Sequence, residues 1–135
     1  KDFQQLRVIQ TLVQDLDIPV EVKGVATVRE SDGLALSSRN LRLSPEERQV
    51  AAGLPRALFH AADRIGAGAA VPEALEEARH AILDAGFREV EYLELRSART
   101  LAPLAGLTEP ARLLAAAWVG EVRLIDNVPL APQER

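Results

Sequence analysis

The chain has 135 residues and a formal net charge of −4, with 47% hydrophobic and 27% charged residues. This balance is typical of a globular domain rather than a disordered chain, and without a basic surplus it argues against a protein that mainly binds nucleic acid. The chain lacks cysteine and any apolar run near the roughly 20 residues of a membrane span, which favours a cytoplasmic protein without disulfides or a membrane partner.

The start of the chain predicts a helix followed by a strand. Residues 18–25 alternate in polarity, as a strand does. A helix that leads into a strand is half of a βαβ unit, which cannot bury its own apolar faces. Because the chain also opens without Met inside a helical pattern, we expect a piece of a longer protein. The helical pattern is carried by apolar residues at three- and four-residue steps, namely Phe3, Leu6, Ile9, Val13 and Leu16.

Residues 26–43 are predicted to form a long connection with the polar motif Ser37-Ser38-Arg39-Asn40 near its centre. A loop of this length in a compact protein is usually functional. Hydroxyl, guanidinium and backbone N–H groups together can bind a phosphate. Residues 1–43 hold six acidic and six basic residues, so an anion site would be local rather than a basic face. A polar loop that only turns and caps stays open as the alternative.

Two helices are predicted next. Ser44-Pro45-Glu46-Glu47 is a strong helix start, with Ser44 as N-cap, Pro45 in the first position and Glu47 three residues after the cap. One helix is expected from there to Gly66-Ala67-Gly68, and a second from Pro72 to Gly86. Their buried stripes are predicted to hold Val50, Leu54, Leu58 and Ile65 in the first helix, and Leu75, Ala78 and Ile82 in the second.

After Gly86 the apolar period changes from 3.6 to 2. Residues 90–95 predict a strand, and so do residues 112–119, although their alanine content leaves a helix as an alternative. Gly120-Glu121 then predicts a tight turn into residues 122–127, so the last two runs form a hairpin. Residues 44–135 are therefore expected to be a small α+β domain.

Several motifs, in the same order, resemble those of the pantoate–β-alanine ligase family. Residues 1–5, KDFQQ, resemble its KDYQQ segment, and residues 27–40 resemble its TVRE-x-DGLA-x-SSRN signature. Residues 92–95 and 123–127 resemble its C-terminal strands. The chain departs from the family in having Phe3 for Tyr and Arg42-Leu43 for a Tyr-Leu pair. It also lacks the N-terminal half, with the HxGH motif and most of the Rossmann-like sheet.

The resemblance implies an ATP-dependent enzyme that condenses pantoate with β-alanine and releases AMP and pyrophosphate. Pantoate carboxylate would attack the α-phosphate, and the β-alanine amine would then attack the pantoyl adenylate. Mg²⁺ is expected on the phosphates, held mainly by them and by residues outside this chain, so no metal ligand is assigned here. The family also implies a homodimer for the full-length protein, and the fragment alone is expected to be inactive.

The resemblance also implies the residue roles. Ser37, Ser38 and Arg39 would be catalytic and bind ATP, because hydroxyls and a fixed guanidinium stabilise charge on the phosphates. Lys1 would also bind the phosphates at a helix start, where the alternative is a solvated charge. Asp2 would accept hydrogen bonds from the ribose hydroxyls, or would only interact with the helix N-terminus. Gln5 would bind pantoate through its amide, or would be an ordinary surface amide. Thr27 and Val28 would border the adenine through their backbone groups.

Several other residues are not assigned a role in the site. Arg29 and Asp32 are as consistent with a local salt bridge as with ligand contact. His60 and His80 lie off the apolar stripes without carboxylates at metal-ligand spacing, so both are expected at the surface. Trp118 is expected in the core or an interface. Glu73, Glu76 and Glu77 form a solvated helix face.

The expected architecture is α/β with α+β. Residues 1–26 would be the last helix–strand unit of a Rossmann-like nucleotidyltransferase domain that binds ATP and pantoate. Residues 27–43 would be a nucleotide-binding hinge with the SSRN loop, and residues 44–135 a C-terminal lid that excludes water from the adenylate. Two alternatives remain: an isolated non-catalytic lid or binding module, and a domain of another adenylate-forming synthetase.

Overall fold

The computed structural model describes residues 1–133. Four α-helices precede three strands. Among the described residues, no helix is long and apolar enough to cross a membrane. In chain order the elements are α1 (Phe3–Asp15), a 3₁₀ helix (Ser38–Arg42), α2 (Pro45–Ala51), α3 (Gly53–Gly66), α4 (Val71–Asp84), β1 (Glu89–Ser97), β2 (Ala111–Val119) and β3 (Val122–Leu130).

The predicted first helix is confirmed as α1, and Asp2 is its N-cap, accepting a hydrogen bond from the Gln5 backbone N–H at 3.0 Å. The helix has no fully buried residue. On the predicted stripe, Phe3, Leu6 and Val13 are partly buried, whereas Ile9 and Leu16 are 40% and 64% exposed. Beside the stripe, the apolar side chains of Val8 and Leu12 are 62% and 50% exposed. The stripe that the periodicity predicts is therefore present and only partly covered by the described part of the chain.

The predicted strand over residues 18–25 is not formed. A strand is defined by its ladder to a neighbour, and no strand within residues 1–133 pairs with this segment. The Val22 carbonyl instead accepts a bond from the Gln10 side chain of α1 at 3.4 Å, and Val25 is 83% exposed. Polar and apolar residues do alternate over this segment, but a strand forms only with a partner strand, and residues 1–133 provide none for it.

The helix start at Ser44 is confirmed, and Ser44 and Glu47 form a reciprocal capping box. The expected single helix is wrong, however, because it is divided into α2 and α3 at Ala52. Pro55 explains the break: it has no N–H to donate, and its ring would collide with the Ala51 carbonyl of a continuous helix. Leu54, Leu58 and Ile65 are buried as predicted, and Val50 is partly buried.

The second predicted helix is α4, whose Ala78 and Ile82 are buried and whose Leu75 packs against the core. The three strands form an antiparallel sheet in the order β1-β2-β3. Residues 111–119 are thus a strand, which excludes the helical alternative. Gly120 has φ +54° at the first central position of the two-residue turn between β2 and β3, a conformation that glycine adopts without strain.

The sheet has an inner face covered by α3 and α4, and an outer face. Helix α3 packs on β3 and α4 on β1, and inner-face residues such as Leu113 belong to the main hydrophobic core. The start of α1 contacts the outer face, where the Tyr92 hydroxyl donates to the Gln4 side chain at 3.3 Å. The helices and the three-stranded antiparallel sheet confirm the α+β part of the expected fold.

The histidines and glutamates expected to lie outside the site are at the surface, whereas Trp118 is partly buried. His60, His80 and the three glutamates of the predicted solvated face are exposed. His80 does have a carboxylate neighbour, since its Nε2 lies 3.4 Å from Glu76 one turn earlier. Trp118 is not in the core: it lies partly buried on the outer face of the sheet, donates to Glu91 at 3.3 Å and stacks against Arg88.

Candidate functional site

A cleft of about 530 Å³ opens beside the start of α1. Its lining includes Lys1, Asp2, Gln5 and Thr27, each of which was predicted to bind nucleotide or pantoate. The sheet contributes Arg112 from β2 and Asn127 from β3. The structure therefore gathers residues from the start of α1, from residues 23–27 and from the outer face of the sheet around one cavity.

Lys1 lies against β3, and its Nζ is 3.5 Å from the Ile125 carbonyl oxygen. Burial against the sheet lowers the pKa of the Lys1 ammonium, and the nearby charge of Arg39 lowers it further. The carboxylates of Asp126 and Asp2 oppose both effects and raise the pKa. Lys1 is exposed, and its ammonium lies at the edge of β3.

Arg39 lies at the same edge of the sheet, where its Nη1 is 3.4 Å from the Arg123 carbonyl oxygen. The guanidinium is otherwise exposed. Lys1 and Arg39, 38 positions apart in sequence, therefore hold their charges close together next to β3. Two cations at one edge can bind an anion together, although the carboxylates of Asp126 and Asp2 already lie near Lys1.

The two serines of the motif differ in position. Ser37 caps the 3₁₀ helix, because its Oγ accepts a hydrogen bond from the Arg39 N–H at 3.2 Å, and Ser38 is exposed. Asn40 donates to the Ala35 carbonyl at 3.0 Å and fixes the loop below them. Ser37 therefore makes the bond of a polar loop that turns and caps, while the hydroxyl of Ser38 remains accessible.

Asp2 and Val28 show local structural roles. The Asp2 carboxylate caps α1, which is the structural alternative weighed for it. The Val28 carbonyl accepts from the Leu36 N–H at 2.9 Å, so the two sides of the 27–36 segment are joined by their backbones. The Val28 side chain is 60% exposed, as expected if any ligand contact there uses the backbone.

Arg29 and Asp32 do not pair with one another. Arg29 forms a bidentate ion pair with buried Asp126, at 2.8 and 2.9 Å, and its guanidinium stacks over the Phe59 ring at 5.0 Å. Asp32 pairs instead with Arg48, at 2.6 Å and 3.2 Å. Both residues are thus occupied by contacts within the protein, and the local Arg29–Asp32 salt bridge, one of the two alternatives for them, is not formed.

Sequence reasoning gave no role to Arg112, Asp126 or Asn127. A signal for Asp126 was present: Val122 and Leu124 face the core, and the same two-residue period predicts an apolar residue where Asp126 stands. A carboxylate at a buried position of a strand needs a cationic partner, and Arg29 is the partner. Arg112 is itself partly desolvated, since burial lowers the pKa of its guanidinium.

The carboxylates near the cleft are not arranged as metal ligands. Asp2 is engaged in capping and Asp126 in its pair with Arg29, and within residues 1–133 no three His, Asp or Glu side chains converge as a metal site requires. The exposed charges here include the cations of Lys1 and Arg39 and the carboxylate of Asp2. The arrangement is suited to hold an anion of substrate size.

The comparisons with known proteins agree with this geometry. The family model described as pantoate-beta-alanine ligase matches residues 1–129. A pantothenate synthetase of Chelativorans sp. (strain BNC1) is 61% identical over 97% of this chain and 46% of its own length. One of Cereibacter sphaeroides (strain ATCC 17023) is 59% identical over 96% of this chain and 47% of its own. The chain belongs to the pantoate–β-alanine ligase family.

Solved structures give the same assignment for the fold. The crystal structure of pantothenate synthetase from Thermus thermophilus superposes with a TM-score of 0.91 at 47% identity, over 98% of this chain and 48% of that one. A pantoate-beta-alanine ligase from Francisella tularensis, complexed with beta-gamma ATP and beta-alanine, has a TM-score of 0.69 at 28% identity, over 95% of this chain and 40% of that one. The chain thus spans about half the length of the relatives it matches.

Proposed function

We propose that the protein containing this chain condenses pantoate with β-alanine, at the expense of ATP, through a pantoyl-adenylate intermediate. The observation that carries the proposal is the 61% identity to a pantothenate synthetase across 97% of the chain. ATP and β-alanine as substrates are supported by the complex of the Francisella tularensis relative. In this reaction AMP and pyrophosphate leave, and the final bond is an amide.

In the proposed reaction, Lys1 and Arg39 bind the phosphates of ATP. Their cationic groups lie next to each other at the edge of β3, and both have only a weak carbonyl contact to give up. As pantoate carboxylate attacks the α-phosphate, charge builds up on the departing pyrophosphate. Cations at this position stabilise that charge in the transition state, which is the main way such sites accelerate a reaction. Ser38 would add a hydroxyl donor from the same loop.

The remaining ligands follow from the lining of the cleft. Gln5 is exposed on the first turn of α1 and can donate its amide to pantoate, while Thr27 on the facing segment can border adenine. Ser37 and Asp2 would contribute through the segments they cap. Val28 would contribute through its backbone.

Mg²⁺ in this proposal is carried by the phosphates of ATP. The donor set of the described residues does not provide a metal site, so no step is assigned to the ion on this chain. The cytoplasmic location, the homodimer and the division into residues 1–26, 27–43 and 44–135 stay predictions for the whole protein.

The proposal is tested with the full-length protein by following AMP release with ATP, pantoate and β-alanine, each omitted in turn. We expect AMP formation to depend on pantoate, and pantothenate to appear only with β-alanine. AMP formation that is indifferent to pantoate would contradict the proposal and favour another adenylate-forming synthetase. Nucleotide binding without any AMP release would favour a non-catalytic binding module.

A further inference from the structure

Two adjacent residues of β3 hold the two segments that carry the proposed phosphate ligands. Asp126 and Asn127 are both buried, at 4% and 5% exposure. Because successive side chains of a strand point to opposite faces, Asp126 faces the side of α3 and Asn127 faces the side of α1. Neither residue has a role in the reaction proposed above.

Asn127 fixes the start of α1. Its Nδ2 donates to the Lys1 carbonyl oxygen at 2.7 Å, and its Oδ1 accepts from Arg112 at 2.9 Å. Arg112 in turn stacks over the ring of Phe3 at 4.4 Å. The backbone of the residue that supplies one cation is therefore attached to the sheet through one buried amide.

Asp126 fixes the other segment. Its carboxylate accepts two hydrogen bonds from Arg29, which also donates to the Gly33 and Asn127 carbonyls at 3.0 and 3.1 Å. Arg29 and Gly33 lie on opposite sides of the turn that precedes Ser37 and Arg39. The ion pair thus holds the base of the loop that presents the second cation.

The cationic side chains of both segments contact the same strand, β3. Lys1 and Arg39 contact the carbonyls of Ile125 and Arg123, two residues apart on β3. The separation of the two cations is consequently set by β3 and by the attachments at Asp126 and Asn127.

We propose that Asp126 and Asn127 are positioning residues that hold Lys1 and Arg39 at the spacing needed for the phosphates of ATP. This role rests on the proposed function, since the ligand is the substrate assigned there. In this role Asp126 acts through Arg29 on the loop, and Asn127 acts through its bond to the backbone of Lys1.

The test uses the full-length enzyme and measures kcat, the KM for ATP and thermal unfolding. Asn127→Ala removes the hydrogen bonds to both Lys1 and Arg112 and is expected to raise the KM for ATP about tenfold. Asn127→Asp keeps the acceptor for Arg112 but loses the donor to Lys1, and it serves if the alanine variant does not fold. Glu77→Gln is the matched control, because Glu77 is in an exposed ion pair with Arg64.

A double-mutant cycle separates positioning from simple stabilisation. In a Lys1→Ala background, Asn127→Ala is expected to change the KM for ATP less than twofold, because the cation it positions is gone. Asp126→Asn is expected to raise the KM for ATP in the wild-type background and to change it little in an Arg39→Ala background, because the cation that Asp126 positions is then absent. The positioning role would be overturned if a substitution changed the KM for ATP equally in the wild-type background and in the background that lacks the cation. It would also be overturned if kcat fell in proportion to the folded fraction while KM stayed unchanged.

The failure of the proposed function gives a different result. A wild-type protein without pantoate-dependent AMP release would reject the reaction itself, and the positioning role with it. An active wild-type enzyme whose Asn127 variants behave like Glu77→Gln would reject the positioning role alone.

Discussion

Arg39 is the residue whose charge can be tested with the least disturbance of the fold. Its side chain is exposed, and its one hydrogen bond is a 3.4 Å contact to a carbonyl. Arg39→Ala is expected to lower pantoate-dependent AMP release by the full-length protein about a hundredfold, as the loss of one charge-stabilising donor does. The melting temperature is expected to stay close to that of the wild type.

Arg42→Ala provides the matched control for Arg39→Ala. Arg42 is also an exposed arginine of the 3₁₀ helix, so its loss removes the same charge from the same element. AMP release by this variant is expected to stay within about twofold of the wild type, because solvent and salt screen an exposed charge that does not contact the anion. Equal losses in the two variants, or unfolding of Arg39→Ala, would contradict a specific role of Arg39.

The Asp32–Arg48 pair gives a stability prediction with a defined pH dependence. Hydrogen bonds from Arg48 hold the pKa of the Asp32 carboxyl below its ordinary range. Because the folded form binds its proton at lower pH than the unfolded form, the stabilisation is complete above the ordinary carboxyl range. It is lost as the pH falls through the lower pKa of the folded state.

Asp32→Asn removes this charge and keeps the acceptor for the Leu34 N–H. The pair is about one third exposed, so the free energy of unfolding at neutral pH is expected to fall by no more than about 1 kcal/mol. Urea unfolding should show this difference shrinking on acidification. Exposed Asp63→Asn is the control, and a difference that persists in acid would show that shape rather than charge is responsible.

Among the elements, α3 depends on a close approach at its first residue. A Cβ added to Gly53 would lie 2.6 Å from the Cβ of Ala85, which follows α4, and neither group can move aside as a flexible side chain would. Gly53→Ala is therefore expected to destabilise the protein by about 1–3 kcal/mol.

Gly66→Ala tests the same substitution in the same helix with open space around it. Since alanine is the better helix former, the protein is expected to be unchanged or up to about 0.5 kcal/mol more stable. Thermal unfolding of both variants measures the two effects side by side. A similar loss of stability in both variants would show that the helix backbone, not the contact with Ala85, makes the protein sensitive to these substitutions.

The elements also show what could be predicted from the sequence. Local chemistry was sufficient at Ser44 and Glu47, where a cap and its partner lie three residues apart, and at Gly120, where a turn needs a permissive residue. It failed at residues 18–25, because pairing is a property of two segments. Pro55, the cause of the break at Ala52, was visible in the sequence, but the apolar stripe that continues across it hid the effect of the missing N–H.

For the site, the resemblance to the pantoate–β-alanine ligase family predicted the roles of Lys1 and Arg39, which the hydrophobic periodicity alone did not predict. Their proximity at β3 depends on tertiary packing that no local pattern contains. The bidentate partner of Arg29 lies 97 residues away in sequence. For this reason the nearby Asp32 was the natural partner to expect from sequence, although Asp126 is the partner that forms the pair.

At the scale of the whole molecule, the two ends of the chain differ in how well they are covered. Helices α3 and α4 bury their apolar faces against the sheet, whereas Val8, Leu12 and Leu16 of α1 are exposed. The cleft is lined by this partly covered end, by residues 23–27 and by the outer face of the sheet. The start of α1, which carries the proposed binding residues Lys1 and Gln5, thus belongs to a helix that is less buried than the core.

Residues 1–135 expressed alone are therefore expected to fold in the region of the sheet and α3, but to release no AMP with ATP, pantoate and β-alanine. Amide hydrogen exchange should show strong protection in β2 and α3 and weak protection in α1, because α1 has no buried residue. The full-length protein at equal concentration is the positive control, since this chain spans about half the length of its relatives. Measurable turnover by the purified 135-residue chain would show that these residues suffice for the chemistry, and that an α1 with a partly exposed apolar stripe can still present Lys1 and Gln5 to the substrates.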